Sequence, residues 1–224
     1  MKILNLYACL GGNRYKWDEV TDIEVTAVEL DPELARMYQE RFPNDTVIVA
    51  DAHQYLLDHY KEFDFIWSSP PCPSHSMTNT FLNPQGLIRY PDMKLYEEII
   101  FLKHFYKGKY VVENVNPYYE PLIAATKRGR HLYWTNFNLP NILSDRSTVI
   151  SACKPSTRKI HRENSDIKRL SKFHQIDLSS YKGKQRKDKI ARNLVDYEAG
   201  KTILQTVVGI VTKQNAKQIK LFDA

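Results

Sequence analysis

Apolar and polar positions alternate in short blocks over the first half of the chain. Residues 3–7 form an apolar run of strand length. A second run spans 24–29, and a helical repeat follows over 32–42, with Leu34, Ala35 and Tyr38 on one side. The pattern then predicts a strand at 46–50, a short helix at 54–60 and a strand at 63–67, which Pro70-Pro71 closes. A helix over 92–106, a strand over 110–115 and a later strand over 132–137 complete the series. Such repetition predicts a mostly parallel sheet with helices on both faces. Between 73 and 90 lies a loop rich in Ser, Thr, Asn and Pro, long enough to be a functional candidate. Past residue 140 the periodicity fades. Residues 155–189 predict a small, loop-rich insertion. A helical pattern returns over 191–221, where Ile203, Leu204, Val207, Ile210 and Val211 share one face. No internal repeat is visible.

Composition narrows this picture. A chain of 224 residues, 42% apolar and 26% charged, suits one full-sized domain and excludes a disordered tail or a fibre. No apolar run approaches the roughly 18 residues of a membrane span, and the start lacks the layout of a secretory leader. Three cysteines without a CxxC pair predict neither a disulfide framework nor a metal site, so a reducing cytoplasm is expected. The net charge of +6 is uneven. Residues 151–192 carry 13 Lys and Arg against 4 Asp and Glu, whereas the remainder carries 19 against 22. Either this is a solvated surface loop or it is a polyanion-binding element on an otherwise slightly acidic body.

Candidate chemistry clusters at predicted strand ends, where open parallel sheets collect ligands. The first strand runs into Ala8-Cys9-Leu10-Gly11-Gly12, a tight glycine turn. Glu29 closes the second strand, 17 positions past Gly12, near the spacing at which an acid meets a ribose hydroxyl. Asp51 follows the third strand and is placed to accept from an exocyclic amine. The turn lacks the full GxGxxG spacing, which favours S-adenosylmethionine over a nicotinamide dinucleotide. Cys72 leaves the fourth strand among Pro70, Pro71 and Pro73, which hold it as a presented nucleophile. Glu113 ends the apolar run of the fifth strand. In Arg128-Gly129-Arg130, alternate positions of an extended segment predict two guanidinium groups facing one ligand.

Taken in order, these motifs resemble those of DNA cytosine-5 methyltransferases. Pro-Pro-Cys at 70–72, Glu-Asn-Val at 113–115, Leu6 to Gly12 and Arg128-Gly129-Arg130 each match a family motif over about residues 1–138. The resemblance implies a Rossmann-like class I methyltransferase fold using S-adenosylmethionine, with double-stranded DNA as partner and a monomeric state. It implies that Cys72 attacks C6 of a flipped-out cytosine, that Glu113 holds N3 and the exocyclic amine, and that Arg130 binds the base carbonyl with Arg128 in support. For the cofactor it implies Tyr7, Ala8, Cys9, Gly11 and Gly12 around the methionine and adenine, Glu29 on the ribose and Asp51 on the adenine amine. Leu30, Ala52 and Pro71 complete that pocket. The loop over 73–90 becomes the lid, with Ser76 and Thr78 on DNA. The small size resembles compact phage and prophage members, for which a restriction-protection role is possible.

The chain departs from the family pattern in three places. Asn5 stands where an acid is usual, and Cys9 where glycine is usual. The stretch Gln205 to Gly209 lacks the usual Gly-Asn pair, which leaves Asn193 in Arg192-Asn193-Leu194-Val195 as an alternative start of the terminal element. The expected organisation is a catalytic domain over 1–138, a basic target-recognition region over 139–190 and a returning helix over 191–224. Arg158, Lys159, Arg162, Lys168 and Arg169 are the expected DNA-contacting cations. RNA as substrate, a non-catalytic DNA binder, and transfer of a group other than methyl are the competing readings.

Overall fold

A computed structural model describes residues 1–144 and 159–210, with the backbone alone over 159–166. Seven strands form one sheet in the order β3-β2-β1-β4-β5-β7-β6. They are β1 (Lys2–Leu6), β2 (Glu24–Glu29), β3 (Thr46–Val49), β4 (Phe65–Ser68), β5 (Lys109–Val115), β6 (Thr126–Arg128) and β7 (His131–Thr135). The first five are mutually parallel, while β7 runs antiparallel to both β5 and β6. Strand order reverses between β1 and β4, where Leu6 pairs with Ser68. A crevice therefore opens beyond those strand ends.

Strands buried on both faces explain the dense apolar runs. One face of the sheet carries Leu4, Leu6, Ile66 and Val112. Against it lie α2 (Ala52–His59), through Leu56, and α4 (Lys94–Phe105), through Leu95, Ile99 and Leu102. The alternate positions Ile3, Phe65, Trp67 and Val111 point the other way, onto Trp17 and onto Ile203 and Leu204 of α7 (Tyr197–Val207). Trp17 belongs to a short 3₁₀ helix, Asn13–Glu19. Asp31 caps α1 (Pro32–Arg41) by accepting from the N–H groups of Glu33 and Leu34, with Pro32 pre-setting the first turn. Asp196 caps α7 in the same way.

The basic segment differs from expectation. Its predicted loop contains a 16-residue helix, α5 (Lys159–His174), and a shorter one, α6 (Lys187–Asn193). Few apolar residues suffice because α5 needs only one covered face. Ile167 and Leu170 pack with Leu178, Tyr181, Ile190 and Leu194 onto Leu10 of the turn after β1 and onto Leu34 and Met37 of α1. The C-terminal helix is also shorter than expected: α7 ends at Val207, and Ile210 lies beyond it, 41% exposed. Val211 and the rest of the predicted apolar face fall outside the described residues. The long loop after β4 holds a short turn of helix, α3 (Asn79–Leu82), continued by a 3₁₀ turn, Asn83–Gln85. Among the described residues, no helix is long and apolar enough to cross a membrane.

Candidate active site

One cavity of about 1360 Å³ lies over the strand ends at the reversal point. It exceeds the roughly 300–1,000 Å³ of most small-molecule pockets, leaving room for a cofactor beside a second ligand. Tyr7, Ala8, Cys9, Gly12, Glu29, Leu30, Asp51, Ala52, Pro71, Cys72, Ser76, Thr78, Glu113 and Arg130 all line it. The structure thus brings together most residues chosen from sequence.

At one end β1 turns sharply. Tyr7 and Cys9 adopt left-handed backbone angles, φ 56 and φ 48. Cys9 keeps the conformation that favours glycine even though it carries a Cβ, so the turn stores strain on the order of 1 kcal/mol. Glu29 secures this turn. Its Oε2 accepts from the Cys9 N–H at 2.8 Å and its Oε1 from the Asp31 N–H at 2.9 Å. Burial pushes its carboxyl above the usual range, and the backbone donors pull it back. Each oxygen retains a lone pair for a further donor. Asp51 caps α2 through Oδ1, which accepts from the Gln54 N–H at 2.9 Å. Leu30, 68% exposed, offers an apolar face beside them.

Gly11 and Gly12 divide. Gly11 packs against the rings of Tyr38 and Phe42 and is not part of the cavity lining. Gly12 lines it, yet a Cβ there would lie 2.5 Å from the Val195 carbonyl oxygen. Only glycine admits this close approach. Asn193 and Leu194 enter the cavity wall with Val195, so the segment between α6 and α7 meets the first turn.

Under this end lies a buried carboxylate that sequence reading missed. Glu98 of α4 is 0% exposed. It accepts from the Tyr7 hydroxyl at 2.5 Å and the Ser68 hydroxyl at 2.7 Å, and lies 3.1 Å from His53 Nδ1. Burial and then Glu98 drive the Tyr7 phenol far above its ordinary value. Glu98 raises the His53 pKa through its hydrogen bond. One side chain therefore ties the ends of β1 and β4 to the first turn of α2.

At the opposite end, Cys72 follows β4 in a turn closed by the His75 and Ser76 N–H groups donating to its carbonyl. The Asn114 amide donates to the Pro70 carbonyl at 3.0 Å, which fixes the chain just before the thiol. Glu113, 6% exposed on β5, accepts from the Ser69 hydroxyl at 3.0 Å. Trp67 Nε1 in turn donates to Ser69 at 2.8 Å. His131 Nε2 lies 3.4 Å from the other Glu113 oxygen. Burial first, and Glu113 second, push the Cys72 thiol up, against the pull of Arg130 and Lys189. Ser69 and His131 sit beside quoted motifs, so adjacency was their only sequence signal.

Arg128 corrects the shared-face expectation. The chain reverses at Gly129 with φ 56, so the two arginines do not lie on one extended segment. Arg130 lines the cavity, whereas Arg128 donates to the Pro140 carbonyl at 2.7 Å and the Lys127 carbonyl at 2.9 Å. Among the described residues, the expected DNA-contacting cations are not part of the cavity lining. Lys168 and Arg169 sit on α5 away from the cavity wall. Lys159 and Arg162 are described by backbone only, and Arg158 lies outside the described residues. The cavity wall also includes Gln185, Arg186 and Lys189, which no motif had marked, and Arg192 of the Arg192-Asn193-Leu194-Val195 stretch.

A mostly parallel sheet with a cavity at its switch point, and with acids at or just past the ends of the second and third strands, has a Rossmann-like methyltransferase fold. The family model for C-5 cytosine-specific DNA methylases matches residues 1–120, and the chain belongs to that family. S-adenosylmethionine is accordingly its methyl donor. Among solved structures, the chain resembles the Entamoeba histolytica methyltransferase EhMeth, with TM-score 0.55 and 9% identity over 95% of this chain and 99% of that one. A Spodoptera frugiperda DNMT2 variant gives TM-score 0.51 and 13% identity over 93% and 98%. At these identities the likeness is one of fold. No curated protein sequence matches the chain.

Proposed function

We propose that the protein is a DNA cytosine-5 methyltransferase acting through a covalent bond between Cys72 and C6 of the target base. The observation that carries this reading is the convergence of Cys72, Glu113 and Arg130 in one cavity with Glu29 and Asp51. The cofactor-side residues fit S-adenosylmethionine. Glu29 has lone pairs for a ribose diol, Asp51 an oxygen for the adenine amine, and exposed Leu30 an apolar face for the ring. When bound, the cofactor supplies an electrophilic methyl group.

Cytosine C5 is too weak a nucleophile to take that methyl unaided. The Cys72 thiolate adds to C6, forming the Sγ–C6 bond and placing electron density on C5. Glu113, held by Ser69, keeps a proton at N3 as negative charge develops there. Arg130 binds the base carbonyl oxygen. Once C5 carries the methyl, loss of its proton and cleavage of the Sγ–C6 bond restore the aromatic ring and the thiolate. The base reaches this depth only when flipped out of the duplex, and Ser76 and Thr78 lie at the cavity wall to meet it.

Mass spectrometry of nucleosides tests the reading in cells expressing the wild type or Cys72→Ala. The expected outcome is 5-methylcytosine in DNA that disappears with the variant. Modified cytosine in RNA alone would replace the substrate and keep the chemistry. A well-folded wild type that modifies neither nucleic acid would end the proposal.

A further inference from the structure

Cations gather in the wall of the cavity that holds Cys72. Arg186 precedes α6, and Lys189 and Arg192 lie on it. All three line the cavity that contains the thiol. Between them Asp188, 4% exposed, lies 3.0 Å from Arg186 Nε and 3.1 Å from Arg192 Nη1. One carboxylate thus orients two guanidinium groups and leaves the trio with net positive charge. Lys189 is exposed, and its charge is felt at the Cys72 sulfur. The strap leading into α6 is itself anchored. Tyr181 Oη and Gln185 Nε2 both donate to Asp31 Oδ2 at 3.0 Å.

This arrangement suits an anion that arrives with the substrate. A base seated against Glu113 is deep, because Glu113 is 6% exposed. The attached sugar and phosphates remain at the mouth, where long cationic side chains stand. We propose that Arg186, Lys189 and Arg192 clamp the phosphates flanking the target nucleotide, with Asp188 as the positioning residue for the two arginines. The clamp rests on the nucleic-acid reading of the preceding subsection. It assigns phosphate binding to the end of the basic segment and removes it from Lys168.

Fluorescence anisotropy with a labelled 20-base-pair DNA duplex, titrated with full-length protein between 50 and 200 mM salt, tests it. Lys189→Ala should weaken binding about tenfold, and Arg186→Ala with Lys189→Ala more strongly. Each lost cation should lower the slope of log affinity against log salt by about 1. Asp188→Asn should weaken binding about threefold without changing the cation count. Lys168→Ala should bind within about twofold of wild type, and all variants should keep wild-type affinity for S-adenosylmethionine by calorimetry. Unchanged affinity and slope in Lys189→Ala would overturn the clamp, as would a loss confined to Lys168→Ala. A loss of cofactor affinity in place of duplex affinity would overturn it too, reassigning the cations to the cofactor carboxylate. A wild type that binds neither this duplex nor a hairpin RNA would remove the functional reading itself, and the clamp with it.

Discussion

Two walls of one cavity are built on different principles. The wall formed by β1, β4 and β5 holds its reactive groups by short bonds among buried neighbours: Trp67 to Ser69, Ser69 to Glu113, Asn114 to Pro70. The wall around α6 presents exposed Lys189 on a seven-residue helix, flanked by Arg186 and Arg192, which the buried carboxylate of Asp188 orders. Bond-making chemistry requires reacting atoms held within a fraction of an ångström, which strand ends provide. Charge recognition acts over several ångströms, so flexible arms on a lightly tethered helix suffice. Substitutions should therefore act sharply on the first wall and in small steps on the second.

The largest expected effect inside the strand wall is Glu113→Gln. It should lower kcat about 1,000-fold, roughly 4 kcal/mol, with little change in thermal midpoint. Single-turnover methyl transfer checks this, and a loss under tenfold would erase the contrast between the walls. Next is Glu98→Ala, which strips partners from Tyr7, Ser68 and His53 together. It should destabilise the fold by about 3 kcal/mol in urea unfolding and weaken the cofactor, whereas Glu98→Gln retains part of both.

A matched pair sharpens the comparison further. Arg130→Ala should cut kcat/KM about 30-fold, near 2 kcal/mol, because it reaches the cavity. Arg128→Ala should instead lose about 1 kcal/mol of stability, since it holds the Pro140 carbonyl, and should leave kcat within about threefold. Equal kinetic losses would mean that the hairpin turns both side chains inward when substrate binds.

The smallest effect is a pH dependence. Glu98 raises the His53 pKa in the folded state. That contribution is fully present below the unfolded value of about 6.5 and fades as pH rises through the folded one. Stability should thus fall by less than about 1 kcal/mol across that window, and His53→Gln should flatten the slope. Urea midpoints measured between pH 6 and 9 read this directly.

Much of the strand wall was legible in residue order. Short apolar runs produce β1 to β5 at nearly their predicted positions, and strand ends deliver Glu29, Asp51, Cys72 and Glu113 to one crevice. These depend on local periodicity and on a topology that short right-handed crossovers leave little freedom to vary. Tertiary structure alone decided the rest. Gly12 meets Val195, Tyr7 meets Glu98, and Lys189 faces the Cys72 cavity, each across more than 90 residues of chain. Such pairings carry no period and no local propensity. Arg128 and Arg130 part company because one glycine turns the backbone, which composition cannot reveal. The helix in the basic segment was hidden for a related reason: its few apolar residues acquire a covered face only once α1 and α6 are in place.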